Sequence, residues 1–213
     1  MFPPRCKLAF LGIRVPAEVG RLITGLEVPG ERESVSEYHI TILCFDDNWP
    51  ISAISKALEA TYDVVSKFNP FRVTSEKISH FPRFQDNPIP IIAPVDSKEL
   101  HKLRDKLVEA FEEDDIDFKK NFPDFKPHIT LAYSKDEHDD FPIDPSIEFI
   151  VNEIVLWGGD HGDDRIFITF PLKGPERTKH SMLVQKTTLF EKLAKNPGQN
   201  YLTPTFERRK EER

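Results

Sequence analysis

Cysteine is nearly absent from this chain: Cys6 and Cys44 are the only two in 213 residues. Two thiols cannot build a disulfide framework or a cysteine-rich metal site, so a reducing, cytoplasmic setting is expected. Long apolar runs are missing as well. No stretch approaches the roughly 18–20 uninterrupted apolar residues of a membrane helix. The run from Leu8 to Ile13 meets Arg14 at once and reads as a strand, not as a secretory leader. Glycine is scarce, and no glycine-rich phosphate loop follows any predicted strand, which argues against a doubly wound nucleotide-binding fold. Low-complexity tracts are lacking too, and the only repeat is a pair of His-Ile-Thr triplets.

What the chain does have is an apolar fraction of 38% with seventeen Phe, enough for a substantial core. Its net charge of −7 is unevenly spread. Residues 176–213 carry nine basic and five acidic residues, a net of +4, against 20 and 31 in residues 1–175, a net of −11. So acidic a body is a poor surface for duplex nucleic acid, where neutralised phosphates supply most of the affinity. A small phosphorylated ligand in a lined cleft stays compatible with it, because the local field differs from the net charge.

The pattern along the chain predicts an α+β fold with mainly antiparallel sheets. Lys7–Ile13 reads as a buried strand, residues 25–33 as a loop, and Tyr38–Phe45 as a strand rich in β-branched residues. Pro50 suits a first helical turn, with Ile51, Ile54, Leu58, Val65 and Phe68 following at helical spacing. Phe71–Phe81 and Ile89–Val95 read as strands. Asp96-Ser97-Lys98-Glu99 has the form of a capping box before a helix whose apolar face is Leu100, Leu103, Leu107 and Phe111. Strands are expected again at Pro127–Tyr133, Phe149–Trp157 and Arg165–Phe170. Gly174-Pro175 marks a boundary. Residues 1–173 then form the catalytic unit, and 174–213 a basic extension with one amphipathic helix over Met182–Ala194 and a charged end.

Two strands each open on His-x-Thr: His39-Ile40-Thr41 and His128-Ile129-Thr130. Residues i and i+2 of a strand share a face, so each triplet presents an imidazole beside a hydroxyl. If the two strands lie together, the four side chains converge. A phosphodiester matches them: one neutral His takes a proton from the attacking hydroxyl, and the other, protonated, gives one to the leaving oxygen. The Thr hydroxyls can donate to the nonbridging oxygens as charge builds. No metal and no cofactor is required. A single triplet is weak, since strand histidines beside a threonine are common; two on separate strands are much more specific.

These motifs resemble those of the 2H phosphoesterase superfamily, which includes 2′-5′ RNA ligase-like proteins and cyclic-phosphate hydrolases. Leu8–Val19, with its Pro16 and Glu18, resembles the family's opening strand. Tyr38–Ile42 and Phe125–Ala132 resemble its two motifs, and Phe81-Pro82-Arg83 with Pro90–Val95 its middle segment. The resemblance covers residues 7–170. It implies a bilobal, pseudo-twofold fold, two mainly antiparallel sheets with helices outside, and His39, Thr41, His128 and Thr130 meeting in a central groove. It also implies action on 2′,3′-cyclic phosphates, 2′-5′ linkages or cyclic oligonucleotides, the last found in phage enzymes that disarm nucleotide-signalled defence.

Other residues are candidates for substrate contact. Tyr133 stands either at the cleft mouth, stacking on a base, or as an aromatic closing the sheet. Trp157, before Gly158-Gly159, is a base-stacking candidate against ordinary core packing. Arg83 is a phosphate contact or a solvated turn residue, and Phe10 belongs to the groove floor or the core. His138 and His161 sit among acidic residues, as surface loops commonly do, and no metal site is expected there. The expected function is metal-independent cleavage of a cyclic nucleotide or cyclic oligonucleotide. RNA 2′,3′-cyclic-phosphate or 2′-5′ processing and a non-hydrolytic nucleotide-binding module are the alternatives. The expected partner is that small or short nucleotide substrate, without duplex nucleic acid or a membrane, and with self-association through the extension as a further option.

Overall fold

A computed structural model describes residues 5–6, 9–45, 49–120, 124–158 and 166–173. The extension expected over 174–213 and the ends of several predicted elements lie outside the described residues. In chain order the strands are β1 (Arg5–Cys6), β2 (Phe10–Arg14), β3 (Glu31–Arg32), β4 (His39–Cys44), β5 (Trp49–Pro50), β6 (Phe71–His80), β7 (Ile89–Pro94), β8 (His128–Ser134), β9 (Phe141–Val151), β10 (Glu153–Gly158) and β11 (Ile166–Pro171). The helices are α1 (Ala17–Gly25), α2 (Ile51–Val65) and α3 (Lys98–Glu113), with one 3₁₀ turn at Val35–Glu37.

β1 and β5 form a small ribbon, and the other strands make one antiparallel sheet in the order β11-β10-β2-β4-β8-β7-β6-β9, with β3 added beside β8. Four strands lie on each side of the β4–β8 seam, and one registered pair, Ile40 opposite Ile129, joins them there. The two mainly antiparallel halves expected from the sequence are thus continuous through this seam. One apolar cluster spans both, taking Ile40 and Ile129, each fully buried, together with Leu58 of α2 and Leu100, Leu103, Leu107 and Phe111 of α3. Burying faces of this size is what outweighs the ordering entropy of so many strands.

Most elements follow the sequence pattern, and the departures have physical reasons. Ser97, not Asp96, caps α3: its hydroxyl accepts from the Leu100 amide at 3.3 Å. Asp96 instead bridges to Thr74 through the backbone, so the capping box is not formed. The stretch predicted as one strand over 149–157 is two, separated at Asn152, and β9 starts as far back as Phe141. Its Pro142 and Pro145 hide it from sequence reading, but β9 is the last strand in the order, where a proline costs no ladder bond. Helix α1 is absent from the sequence-based expectation. It follows Pro16, carries Glu18 in its first turn, and buries only Val19, Gly20 and Ile23. The loop expected over 25–33 contains β3, whose Arg32 guanidinium donates to the carbonyls of Thr24 and Leu26 and so closes the end of α1.

Candidate active site

The seam pair sets the geometry of the two triplets. Ile40 and Ile129 face each other on the core side of the sheet, so their sequence neighbours point the other way. His39, Thr41, His128 and Thr130 therefore share one face, and all four are half-buried. Extending the antiparallel register of the Ile40–Ile129 pair by a residue each way sets His39 across from Thr130 and Thr41 across from His128. The two histidines are diagonal neighbours, about 7–8 Å apart at their backbones. A tetrahedral phosphorus fits between two such imidazoles.

The register of each motif strand also shifts just after its Thr. Against β2, Gly12 pairs with Thr41 and Leu11 with Leu43, which skips Ile42. Against β7, Ile92 pairs with Thr130 and Ile91 with Ala132, which skips Leu131. Such bulges re-aim side chains and recur next to active sites. Here the same device is used twice, once on each side of the pseudo-twofold seam.

The imidazoles are oriented in matching ways too. His39 Nδ1 lies 2.6 Å from the Glu37 carbonyl oxygen, and His128 Nδ1 2.7 Å from that of Lys126. A carbonyl can only accept, so Nδ1 carries the proton in each ring and Nε2 is the basic nitrogen of the neutral imidazole. For His128, burial outweighs the opposing pull of that carbonyl and pushes its pKa below the ordinary 6.5. A neutral Nε2 at neutral pH is a proton acceptor.

The surroundings of the two rings differ. His39 packs on Phe10, with ring centroids 4.8 Å apart, and on Trp157 at 5.4 Å. Phe10 and Trp157 stack on each other at 5.1 Å. Phe81 meets His128 edge-on at 4.7 Å. Gly12, opposite Thr41, leaves space that a Cβ would fill: such an atom would sit 2.8 Å from the Ile40 carbonyl oxygen and 3.1 Å from the Phe10 ring.

Of the other residues singled out from the sequence, Phe10 and Trp157 are brought to His39, with Trp157 only 3% exposed beneath its neighbours. Tyr133 lies further along β8, with 37% of its surface open. Arg83 donates to the Lys135 carbonyl and ties the β6–β7 turn to the loop after β8. His138 Nε2 lies 3.0 Å from the Ser134 hydroxyl, whose oxygen also accepts from the Asp136 amide. His161 lies outside the described residues. Sequence reading missed the two orienting carbonyls, the role of Gly12, and Arg14, which pairs directly with His39 across β2–β4. The carbonyls leave no residue-type signal, whereas Gly12 and Arg14 stand inside the opening strand motif.

Residues 29–163 match the family model described as the 2′-5′ RNA ligase superfamily. No curated protein is similar enough to match. Among solved structures, TT0787 of Thermus thermophilus is 19% identical with a TM-score of 0.64, over 79% of this chain and 100% of that one. Escherichia coli LigT, in complex with NADP+, is 17% identical with a TM-score of 0.60, over 81% of this chain and 96% of LigT. LigT has also been solved with 3′-AMP, at 17% identity, a TM-score of 0.58 and coverage of 79% and 96%. At these identities the likeness to the solved structures is one of fold. With the family match spanning well over half of the chain, the chain belongs to the 2′-5′ RNA ligase superfamily of 2H phosphoesterases.

Proposed function

We propose that this protein is a metal-independent phosphodiesterase that cuts a cyclic nucleotide or cyclic oligonucleotide by paired histidine acid–base catalysis. The observation that carries the reading is the matched pair of Nδ1–carbonyl contacts, which fixes the Nδ1 proton of both rings and makes Nε2 the nitrogen for proton transfer. His128, held neutral by burial, takes the proton of the attacking water or ribose hydroxyl as the new P–O bond forms. His39, protonated, gives its Nε2 proton to the leaving oxygen as the old P–O bond breaks. In the reverse direction the roles exchange. Thr41 and Thr130 donate to the nonbridging oxygens, whose charge grows toward the transition state.

A nucleotide substrate is supported by the NADP+ and 3′-AMP held by LigT, a protein of the same fold. The acidic body favours a small or cyclic substrate over a long polyanion. Processing of RNA 2′,3′-cyclic phosphates or 2′-5′ linkages is the second reading, favoured by the family description itself. Mass spectrometry of purified protein with cyclic dinucleotides, cyclic trinucleotides, nucleoside 2′,3′-cyclic phosphates and short RNAs separates the two. Cleavage confined to the cyclic oligonucleotides is the expected result. Preferential opening of 2′,3′-cyclic phosphates would move the protein to the second reading, and no cleavage of any member would reject both.

A further inference from the structure

The two halves of the site match in their motifs but not in what stands beside them. Across from His128, on β7, is Pro94; across from His39, on β2, is Arg14. A proline offers a phosphate nothing, whereas a guanidinium offers a fork of five donors matched to phosphate oxygens. Arg14 is exposed and lies on the face that carries His39. Its guanidinium carbon sits 4.6 Å from the centroid of Phe167 and 5.5 Å from that of Trp157. The two rings stand at 67° to each other, so the group packs against both and lies flat on one at most.

Other arginines near the fold's rim are already committed. Arg83 donates to Lys135, Arg32 to Thr24 and Leu26, and Arg72 pairs with Glu148. The Arg14 side chain makes no hydrogen bond and no ion pair among the described residues. A cation on an aromatic support, on the working face of a body with excess negative charge, is a local attractor for an anion. Its position also says which anion. Trp157 and Phe167 belong to β10 and β11, the second and third strands out from the one that bears His39. The Trp157 ring links the two groups, its centroid 5.4 Å from that of the His39 imidazole and 5.5 Å from the guanidinium carbon. A guanidinium held on the β10–β11 rings, one aromatic ring removed from the imidazole, suits the next phosphate along a nucleotide chain.

We infer that Arg14 reads a second phosphate of the substrate, on the His39 side of the scissile one, and so selects nucleotides carrying at least two phosphates. The inference rests on the nucleotide-cleaving reading above and deepens it. Phe167, 38% exposed, and Phe10 then form the apolar edge against which the intervening sugar and base lie.

Titration calorimetry with adenosine 3′-monophosphate and adenosine 3′,5′-bisphosphate tests this, on the wild type and on Arg14→Met and Arg14→Lys. The wild type is expected to bind the bisphosphate roughly tenfold or more tightly than the monophosphate, the worth of a charge-assisted hydrogen bond. That ratio should fall to near one in Arg14→Met and to an intermediate value in Arg14→Lys, which keeps the charge but loses the planar fork. Thermal melting checks that each variant is folded, and the Lys variant alone carries the test if the Met variant is not. Equal binding of the two nucleotides by the wild type, a ratio that survives in Arg14→Met, or no binding of either nucleotide would overturn the inference. Cleavage of a phosphodiester without an Arg14-dependent preference would refute this role alone. An Arg14-dependent preference without cleavage of any diester would refute the hydrolytic reading alone.

Discussion

Two carbonyl oxygens, those of Glu37 and Lys126, accept from Nδ1 of His39 and His128 and so fix the tautomer of each neutral ring. Replacing either His with Ala should lower turnover by roughly 10²–10⁴, the usual worth of a positioned acid or base. The double variant should lose little more than the worse single one, because the pair works as a unit. Thr41→Val and Thr130→Val should each cost less, since proton transfer survives them. Steady-state kinetics on folded variants checks all of these. The lowered pKa of His128 adds a pH signature. With its neutral form as the proposed base, the acidic limb of kcat/KM should fall below the ordinary 6.5. An acidic limb at or above that value would remove His128 from the base role. Because folding favours the neutral ring, protonating it opposes folding, and this cost sets in only as pH drops below 6.5. At this scale the His-x-Thr pairs were legible because their chemistry is written in residue types. Their orientation was not, because any residue at i−2 supplies the same carbonyl.

At the scale of elements, both orienting carbonyls are anchored from behind. Glu37 ends the 3₁₀ turn, whose Val35 packs so closely on α1 that a Cβ on Gly20 would lie 2.7 Å from its Cγ1. Lys126 follows Phe125, which is held edge-on by His101 at 5.2 Å and under the Arg104 guanidinium at 4.9 Å, both from α3. The helices thus position the histidines from outside the seam. Gly12 plays the complementary part within the sheet. Gly12→Ala should push β2 from β4 at the Ile40 carbonyl and lower stability by roughly 1–3 kcal/mol, the usual range for overpacking. Urea denaturation measures this, and an unchanged midpoint would show that the strands move apart freely. Strands β4 and β8 and helix α3 were readable from periodicity alone. Helix α1 was not, since three small or medium residues bury its only face, and β9 was masked by prolines that an edge strand tolerates.

Across the whole molecule, the order of eight strands is balanced about the β4–β8 seam, and the two His-x-Thr triplets sit on the axis of that balance. The likeness of the halves was foreshadowed by the two triplets, but the pairing of β4 with β8 was not, because sequence does not state which strands meet. What breaks the balance is the flank: Phe10, Trp157, Phe167 and Arg14 on one side, Phe81 and Pro94 on the other. Under the proposed mechanism, such asymmetry orients a substrate on the near-symmetric histidine pair. Among the described residues no group of three or more His, Cys, Asp or Glu is arranged to hold a metal ion. The most direct test is turnover of a cleaved phosphodiester in excess EDTA, measured side by side for the wild type and the His39→Ala/His128→Ala double variant. The expected result is full wild-type turnover in chelator and a loss of roughly 10² or more in the folded double variant. Turnover abolished by EDTA and restored by Mn²⁺ or Zn²⁺, or a double variant working at the wild-type rate, would contradict paired histidine catalysis.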